Sequence, residues 1–134
     1  MAENTVVKEQ LSSEMIEAGA ELTAKLDAMD LSIMASLWLF ESEINEWRLL
    51  IASPEVSKSG RRDIYHKIGL ARRALGEKAA AVPMSLINVV DANQELVQLF
   101  RIAVRTGAGI SRVRFSKNVI NGHFIDDALI YRIV

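Results

Sequence analysis

The sequence predicts an α+β fold in which one mixed or antiparallel sheet is packed by helices, mainly on one face. Three observations predict it: apolar residues recur at helical spacing in three segments, two β-rich segments form hairpins, and a short apolar strand lies between helices. The 134 residues fit a single domain, 1–134. The predicted helices span about 8–29, 60–80 and 93–105, the hairpins about 33–53 and 112–133, and the remaining strand about 86–90.

The first predicted helix carries a narrow apolar stripe. Its members recur every three or four residues, which places them on one side of a helix: Leu11, Met15, Ala18, Leu22, Leu26 and Met29. The stripe is as narrow as a coiled-coil seam but covers fewer than three heptads. The helix is therefore expected to pack either on the body of the domain or on a second copy of the chain. In the second case Leu11, Met15, Leu22 and Leu26 would form an oligomerisation surface.

The segment that follows has the composition of a β-hairpin. Large apolar residues crowd positions 33–40, polar residues follow at 41–45, and a second apolar run at 47–53 ends at Pro54. Strands tolerate proline poorly, so Pro54 is a natural end for the second strand. The two runs predict antiparallel strands joined by a short polar turn.

Helix and strand alternate in the middle of the chain. Residues 60–80 have a helical stripe that includes Ile64 and Ile68, and Pro83 lies beyond its end. Residues 86–90 predict a short buried strand. The next helix, 93–105, has the clearest separation of apolar and polar sides in the chain, with Leu99 and Phe100 on its apolar side.

The strongest local signal is Asn121-Gly122, which lies between two β-rich runs. This pair is typical of a two-residue type I′ turn, which sets the register of the hairpin. Ile120 is then expected opposite His123, and the same register pairs Val113 with Ile130, Phe115 with Ala128 and Val119 with Phe124 as one apolar face. It also places Lys117 across from Asp126 as an ion pair.

Composition excludes several classes of function. The chain has no cysteine, so disulfides, thiolate nucleophiles and cysteine-based metal sites are ruled out. No apolar run approaches the length of a membrane span, and no secretory signal is visible, so a cytoplasmic protein without a membrane partner is expected. The small net charge of −1 conceals an asymmetry, because residues 1–50 carry ten acids and three bases whereas residues 51–134 carry seven acids and thirteen bases.

The basic second half suggests two interpretations. It could bind phosphate groups of a nucleic acid through Arg62, Arg73, Arg101, Arg105, Arg112 and Arg114. Alternatively, it could pair with the acidic first half of the same chain or of a second copy. The arginines do not alternate with a run of aromatic residues of the kind that stacks successive bases.

The sequence also contains acids and histidines that a metal site could use. Glu41, Glu43 and Glu46 surround a predicted turn, and the two histidines, His66 and His123, could combine with Asp126 or Asp127. A metal-dependent nuclease or hydrolase is therefore the third hypothesis. The sequence shows none of the common nucleotide-binding loops or nucleophile motifs.

The preferred prediction is a non-enzymatic interaction or accessory protein that self-associates or binds a protein partner, without a cofactor. Nucleic-acid binding is the alternative, and metal-dependent hydrolysis comes third.

Overall fold

The computed structural model describes residues 7–134 and contains four α-helices and five strands within them. The helices are α1 (Ser13–Ala28), α2 (Glu55–Ser59), α3 (Arg61–Ala74) and α4 (Glu95–Ala103). The strands are β1 (Ala35–Glu41), β2 (Glu46–Ser53), β3 (Ile87–Asp91), β4 (Val113–Ile120) and β5 (His123–Ile133). Two 3₁₀ segments, Gly76–Ala81 and Met84–Leu86, connect α3 to β3.

All five strands belong to one sheet, in the order β3-β2-β1-β5-β4. The β2–β3 pair is parallel, and the other three pairs are antiparallel. The predicted α+β fold with a single mixed sheet is thereby confirmed. The helical crossover from β2 to β3 is what makes that pair parallel, since a tight turn can join only antiparallel strands.

The sheet has an apolar core on each face. On one face, α1 and α3 pack against side chains that include Trp38, Leu49 and Ile51. On the other face, α4 packs through Val97 and Phe100. Two of the three predicted helices therefore share a face, and the third covers the opposite one. None of the helices in residues 7–134 combines the length and apolar character that crossing a bilayer requires.

The predicted helix at 60–80 is shorter in the structure. It ends at Ala74, and Gly76 has a φ of +63°, after which the backbone continues as a 3₁₀ segment. A positive φ is incompatible with a continuing α-helix and is easily reached only by glycine. Between the predicted hairpin (33–53) and the predicted helix (60–80), the chain forms the five-residue α2, and Gly60 (φ +80°) separates it from α3.

The β4–β5 hairpin has the predicted turn and register. Asn121 and Gly122 both have positive φ, as a type I′ turn requires, and all the expected apolar cross-strand pairs are present. The Lys117–Asp126 ion pair is also formed.

The prediction of a single apolar face along this hairpin is wrong beyond Lys117. Phe115 and Ile120 both contact the core under α4, although residues five apart in a regular strand point to opposite faces. Lys117 has a φ of +49°, and this break reverses the alternation of side chains. As a result, Val119 and Phe124 still pair with each other, but they are 57% and 60% exposed.

Candidate functional site

The six arginines of the predicted phosphate-binding surface lie on different sides of the sheet. Arg62 and Arg73 belong to α3, which packs on one face, whereas Arg101 belongs to α4 on the other face. Arg105 follows α4, and Arg112 and Arg114 lie at the start of β4. The fold therefore does not gather the six guanidinium groups on one surface.

Three of these arginines already have partners within the chain. Arg112 makes a two-pronged ion pair with Glu17 at 2.8 and 3.0 Å, and Arg114 makes one with Asp127 at 2.6 Å for both contacts. Arg101 donates from Nε to the backbone oxygen of Val134 at 2.8 Å. The hydrogen bond from Arg112 lowers the pKa of the exposed Glu17 carboxyl.

Ion pairs join the acidic first half of the chain to the basic second half. Besides Glu17–Arg112, Lys78 contacts Glu21 at 2.9 Å, and Arg132 holds both carboxylate oxygens of Asp27 at 2.8 Å. Arg132 is almost fully buried. Ion pairs within one chain thus balance part of the charge asymmetry along the sequence.

The apolar stripe of α1 attaches this helix to the domain. Leu22 and Leu26 are fully buried in the core, and Leu11 and Met15 are half-buried against it. Because Leu22 and Leu26 are covered by their own chain, their side chains are not available to a partner in this structure.

Two of the acids proposed as metal ligands, Glu41 and Glu46, contact a cation instead. Glu41 and Glu46 both lie near Arg48, at 3.7 and 3.5 Å. His123 is 3.9 Å from Glu95. Within residues 7–134, no three acid or histidine side chains come together as a metal ion would require.

A dense polar cluster surrounds Asp127, which is 5% exposed. Its carboxylate accepts hydrogen bonds from Arg114, from Ser116 Oγ at 2.7 Å and from Lys8 Nζ at 2.9 Å. Burial alone would raise the pKa of Asp127, but the hydrogen bonds from Arg114, Ser116 and Lys8 outweigh it and hold the pKa well below its usual range. Asp127 therefore stays ionised and anchors the cluster.

Lys8 also contacts two aromatic rings. Its Nζ lies 4.6 Å from the ring centre of Phe40 and 5.7 Å from that of Trp47, and Asp126 is 3.7 Å away. The two rings are themselves in contact, with centres 5.3 Å apart. We call the set Phe40, Trp47, Asp126 and Asp127 the ammonium pocket.

Beside this pocket, side chains hold the backbone of residues 7–9. Asn45 Nδ2 donates to the oxygen of Val7 at 2.9 Å, and its Oδ1 accepts from the nitrogen of Glu9 at 2.9 Å. Trp47 Nε1 donates to the oxygen of Glu9 at 2.9 Å. Asn45 is placed by the β1–β2 turn, where it adopts a φ of +49° that asparagine tolerates better than most residues.

The two edge strands of the sheet differ in how they are protected. On β3, Tyr65 Oη accepts from the nitrogen of Val89 at 3.0 Å, and Arg61 Nε donates to its oxygen at 3.1 Å. On β4, the nitrogen of Val119 donates to the side-chain oxygen of its neighbour Asn118, at 2.9 Å. No other strand or helix in residues 7–134 pairs with the outer edge of β4.

Exposed apolar side chains concentrate in the part of the chain around β4. Eight large apolar residues are exposed within residues 7–134, and five of them lie between positions 102 and 124: Ile102, Ile110, Val113, Val119 and Phe124. We call Val119 and Phe124, whose chain neighbours Ile120 and Ile125 face the core under α4, together with the outer edge of β4, the hairpin surface. Sequence reasoning missed this surface because it assigned these side chains to the core. The exposed position of β4 depends on the strand order, which no local pattern reveals.

Comparison with protein-family models, with curated proteins and with solved structures finds no match for this chain.

Proposed function

We propose that this protein is a non-enzymatic interaction domain that self-associates through the hairpin surface. The observation that carries the proposal is the unequal protection of the two sheet edges. The edge at β3 is closed by side chains from α3, whereas no other strand within residues 7–134 pairs with the outer edge of β4.

An open edge strand offers backbone donors and acceptors to another strand. Proteins that remain monomeric usually cover such an edge, shorten it or place charges along it. Here the two charged side chains of β4, Arg114 and Lys117, are directed to acids on the neighbouring strand β5. Their charge is thereby balanced within the hairpin, which reduces the repulsion that would otherwise keep a second strand away.

Val119 and Phe124 supply the apolar component of the interface. They lie opposite each other near the turn, on the same face of the hairpin. Side chains of this size are seldom left bare as a group on a monomer surface. Covering them would add a hydrophobic contribution to the backbone hydrogen bonds.

A second copy of the chain fits this edge better than an arbitrary strand. In an antiparallel pairing of two β4 strands centred between Ser116 and Lys117, Arg114 faces Val119 of the other copy and Lys117 faces Ser116. No two cations are then directly opposed, as a stable cross-strand arrangement requires. The contact is symmetric, which is the usual form of a homodimer interface.

Size-exclusion chromatography with light scattering tests the proposal over a range of protein concentrations. The wild-type mass is expected to rise towards twice that of one chain. Val119→Lys is expected to return it to one chain, because an exposed lysine on an edge strand opposes pairing. The matched control is Leu70→Lys, which places a lysine at another exposed apolar residue, on α3.

The control variant should retain the wild-type mass, and circular dichroism should show that both variants are folded. A wild-type protein with the mass of one chain at every concentration would refute self-association. Equal loss of the dimer in both variants would refute the assignment to the hairpin surface.

A further inference from the structure

The segment before α1 is bound to the rest of the domain in the way that a peptide is bound to a receptor. Residues 7–9 belong to no helix or strand. Their backbone is held at both ends by Asn45 and at Glu9 by the indole of Trp47. The side chain of Lys8 enters the ammonium pocket.

These contacts recognise features that many peptides share. Asn45 and Trp47 bond backbone groups, which every extended peptide carries. The pocket engages a terminal ammonium group through ring faces and carboxylates, which is a general way of recognising cationic nitrogen. The side chain of Val7, by contrast, is 78% exposed and takes little part in the contact.

We propose that the ammonium pocket and Asn45 form a binding site for an extended peptide segment that carries a lysine, and that the chain's own residues 7–9 occupy this site as a competitor. The proposal does not depend on self-association, since the residues involved lie outside the hairpin surface.

The charges around the pocket explain why aromatic rings are needed. Asp127 is paired with Arg114 and Asp126 with Lys117, so the two acids are already balanced by two cations. The ammonium group of Lys8, or of a competing lysine, is a third cation, and the two acids alone therefore attract it less strongly. The faces of Phe40 and Trp47 supply the remaining attraction, because an aromatic ring carries negative charge density on its face.

The resident segment lowers the apparent affinity for any competing peptide. A short tether holds Lys8 close to its pocket at an effective concentration of the order of millimolar. A free peptide has to displace it, and its apparent Kd is raised accordingly. The substitution Lys8→Ala removes the ammonium group and therefore weakens the binding of residues 7–9 to the site. The side chains of the ammonium pocket and Asn45 stay unchanged.

The experiment follows the two indole N–H signals of the 134-residue chain by NMR. The probe is a peptide of residues 7–12 with blocked ends, and a matched peptide has alanine in place of its lysine. Trp47 Nε1 bonds the segment, whereas Trp38 Nε1 bonds the buried Tyr131 Oη at 3.0 Å and reports on the fold. The protein variants are Lys8→Ala and, as a control, Lys25→Ala on α1.

The lysine peptide is expected to shift the Trp47 signal of Lys8→Ala and leave the Trp38 signal in place. Its Kd for Lys8→Ala should be at least about tenfold lower than for the wild type or for Lys25→Ala. The absence of a Trp47 shift at millimolar peptide would overturn the proposal, and so would equal binding of the alanine peptide. The same Kd in all three proteins would show that residues 7–9 do not compete for the site.

Discussion

Of the seven glycines, Gly19, in the middle of α1, is the one at which an added Cβ would meet other atoms within 4 Å. A Cβ at this position would lie 2.4 Å from Tyr131 Oη and 2.7 Å from Trp38 Nε1. Both rings are fully buried and cannot move aside without disturbing their neighbours. Gly19→Ala is therefore expected to destabilise the protein, although alanine is the better helix former.

The loss in the free energy of unfolding follows from the contacts of Tyr131 Oη that the added methyl group would disturb. Tyr131 Oη donates to the oxygen of Ile16 at 2.6 Å and accepts from Trp38 Nε1 at 3.0 Å. Overpacking costs about 1–3 kcal/mol, and the two weakened hydrogen bonds add about 1 kcal/mol each. The higher helix propensity of alanine offsets about 1 kcal/mol of this loss. The net loss in the free energy of unfolding is therefore about 2–4 kcal/mol.

Urea denaturation measures this loss, and Gly69 provides the matched control. A Cβ at Gly69, within α3, would meet no atom within 4 Å, so Gly69→Ala is expected to stabilise by about 0.5–1 kcal/mol. The two variants should move the unfolding midpoint in opposite directions with an unchanged slope. A Gly19→Ala variant as stable as the wild type would contradict the predicted steric clash with Tyr131 and Trp38. Equal destabilisation of both variants would contradict it too.

Two further predictions concern Asp127 and Tyr65. Because the pKa of Asp127 is held below its usual range in spite of burial, its contribution to stability is complete above about pH 4 and is lost on further acidification. Thermal melts should therefore fall less steeply between about pH 5 and pH 3 for Asp127→Asn than for the wild type, and parallel curves would contradict this. Tyr65→Phe removes the acceptor of the Val89 amide and should cost about 1 kcal/mol. Hydrogen exchange at Val89 should accelerate, whereas an unchanged rate would show that Tyr65 does not close this edge.

The features that could be predicted from the sequence are those determined by neighbouring residues. Asn121-Gly122 favours a type I′ turn through its own backbone preferences, and a two-residue turn determines the register of both strands. The apolar spacing of α1 likewise depends on residues within one helix. The end of α3 could not be predicted from neighbouring residues. Glycine is compatible with a helix interior, and only the φ of +63° at Gly76 marks the actual end of this helix.

The features that could not be predicted depend on contacts between distant residues. Lys8 and Asp127 are 119 positions apart, and no local pattern relates them. The helices α3 and α4 both carry arginines, yet they pack on opposite faces of the sheet, which their local sequences do not indicate. The separation of acids and bases along the chain left internal pairing as one of two interpretations, and it did not identify which residues form the pairs.

The central position of β1 has a consequence for how the protein folds. β1 pairs on one side with β2, its neighbour in the chain, and on the other side with β5, so that Ala35 lies opposite Ile133. Contacts of such long range carry a large loop-closure cost, so the two hairpins are expected to form before they dock. Until β5 docks, the apolar strand β1 has a bare edge in the middle of the future sheet. That intermediate is the state in which the chain is most exposed to aggregation.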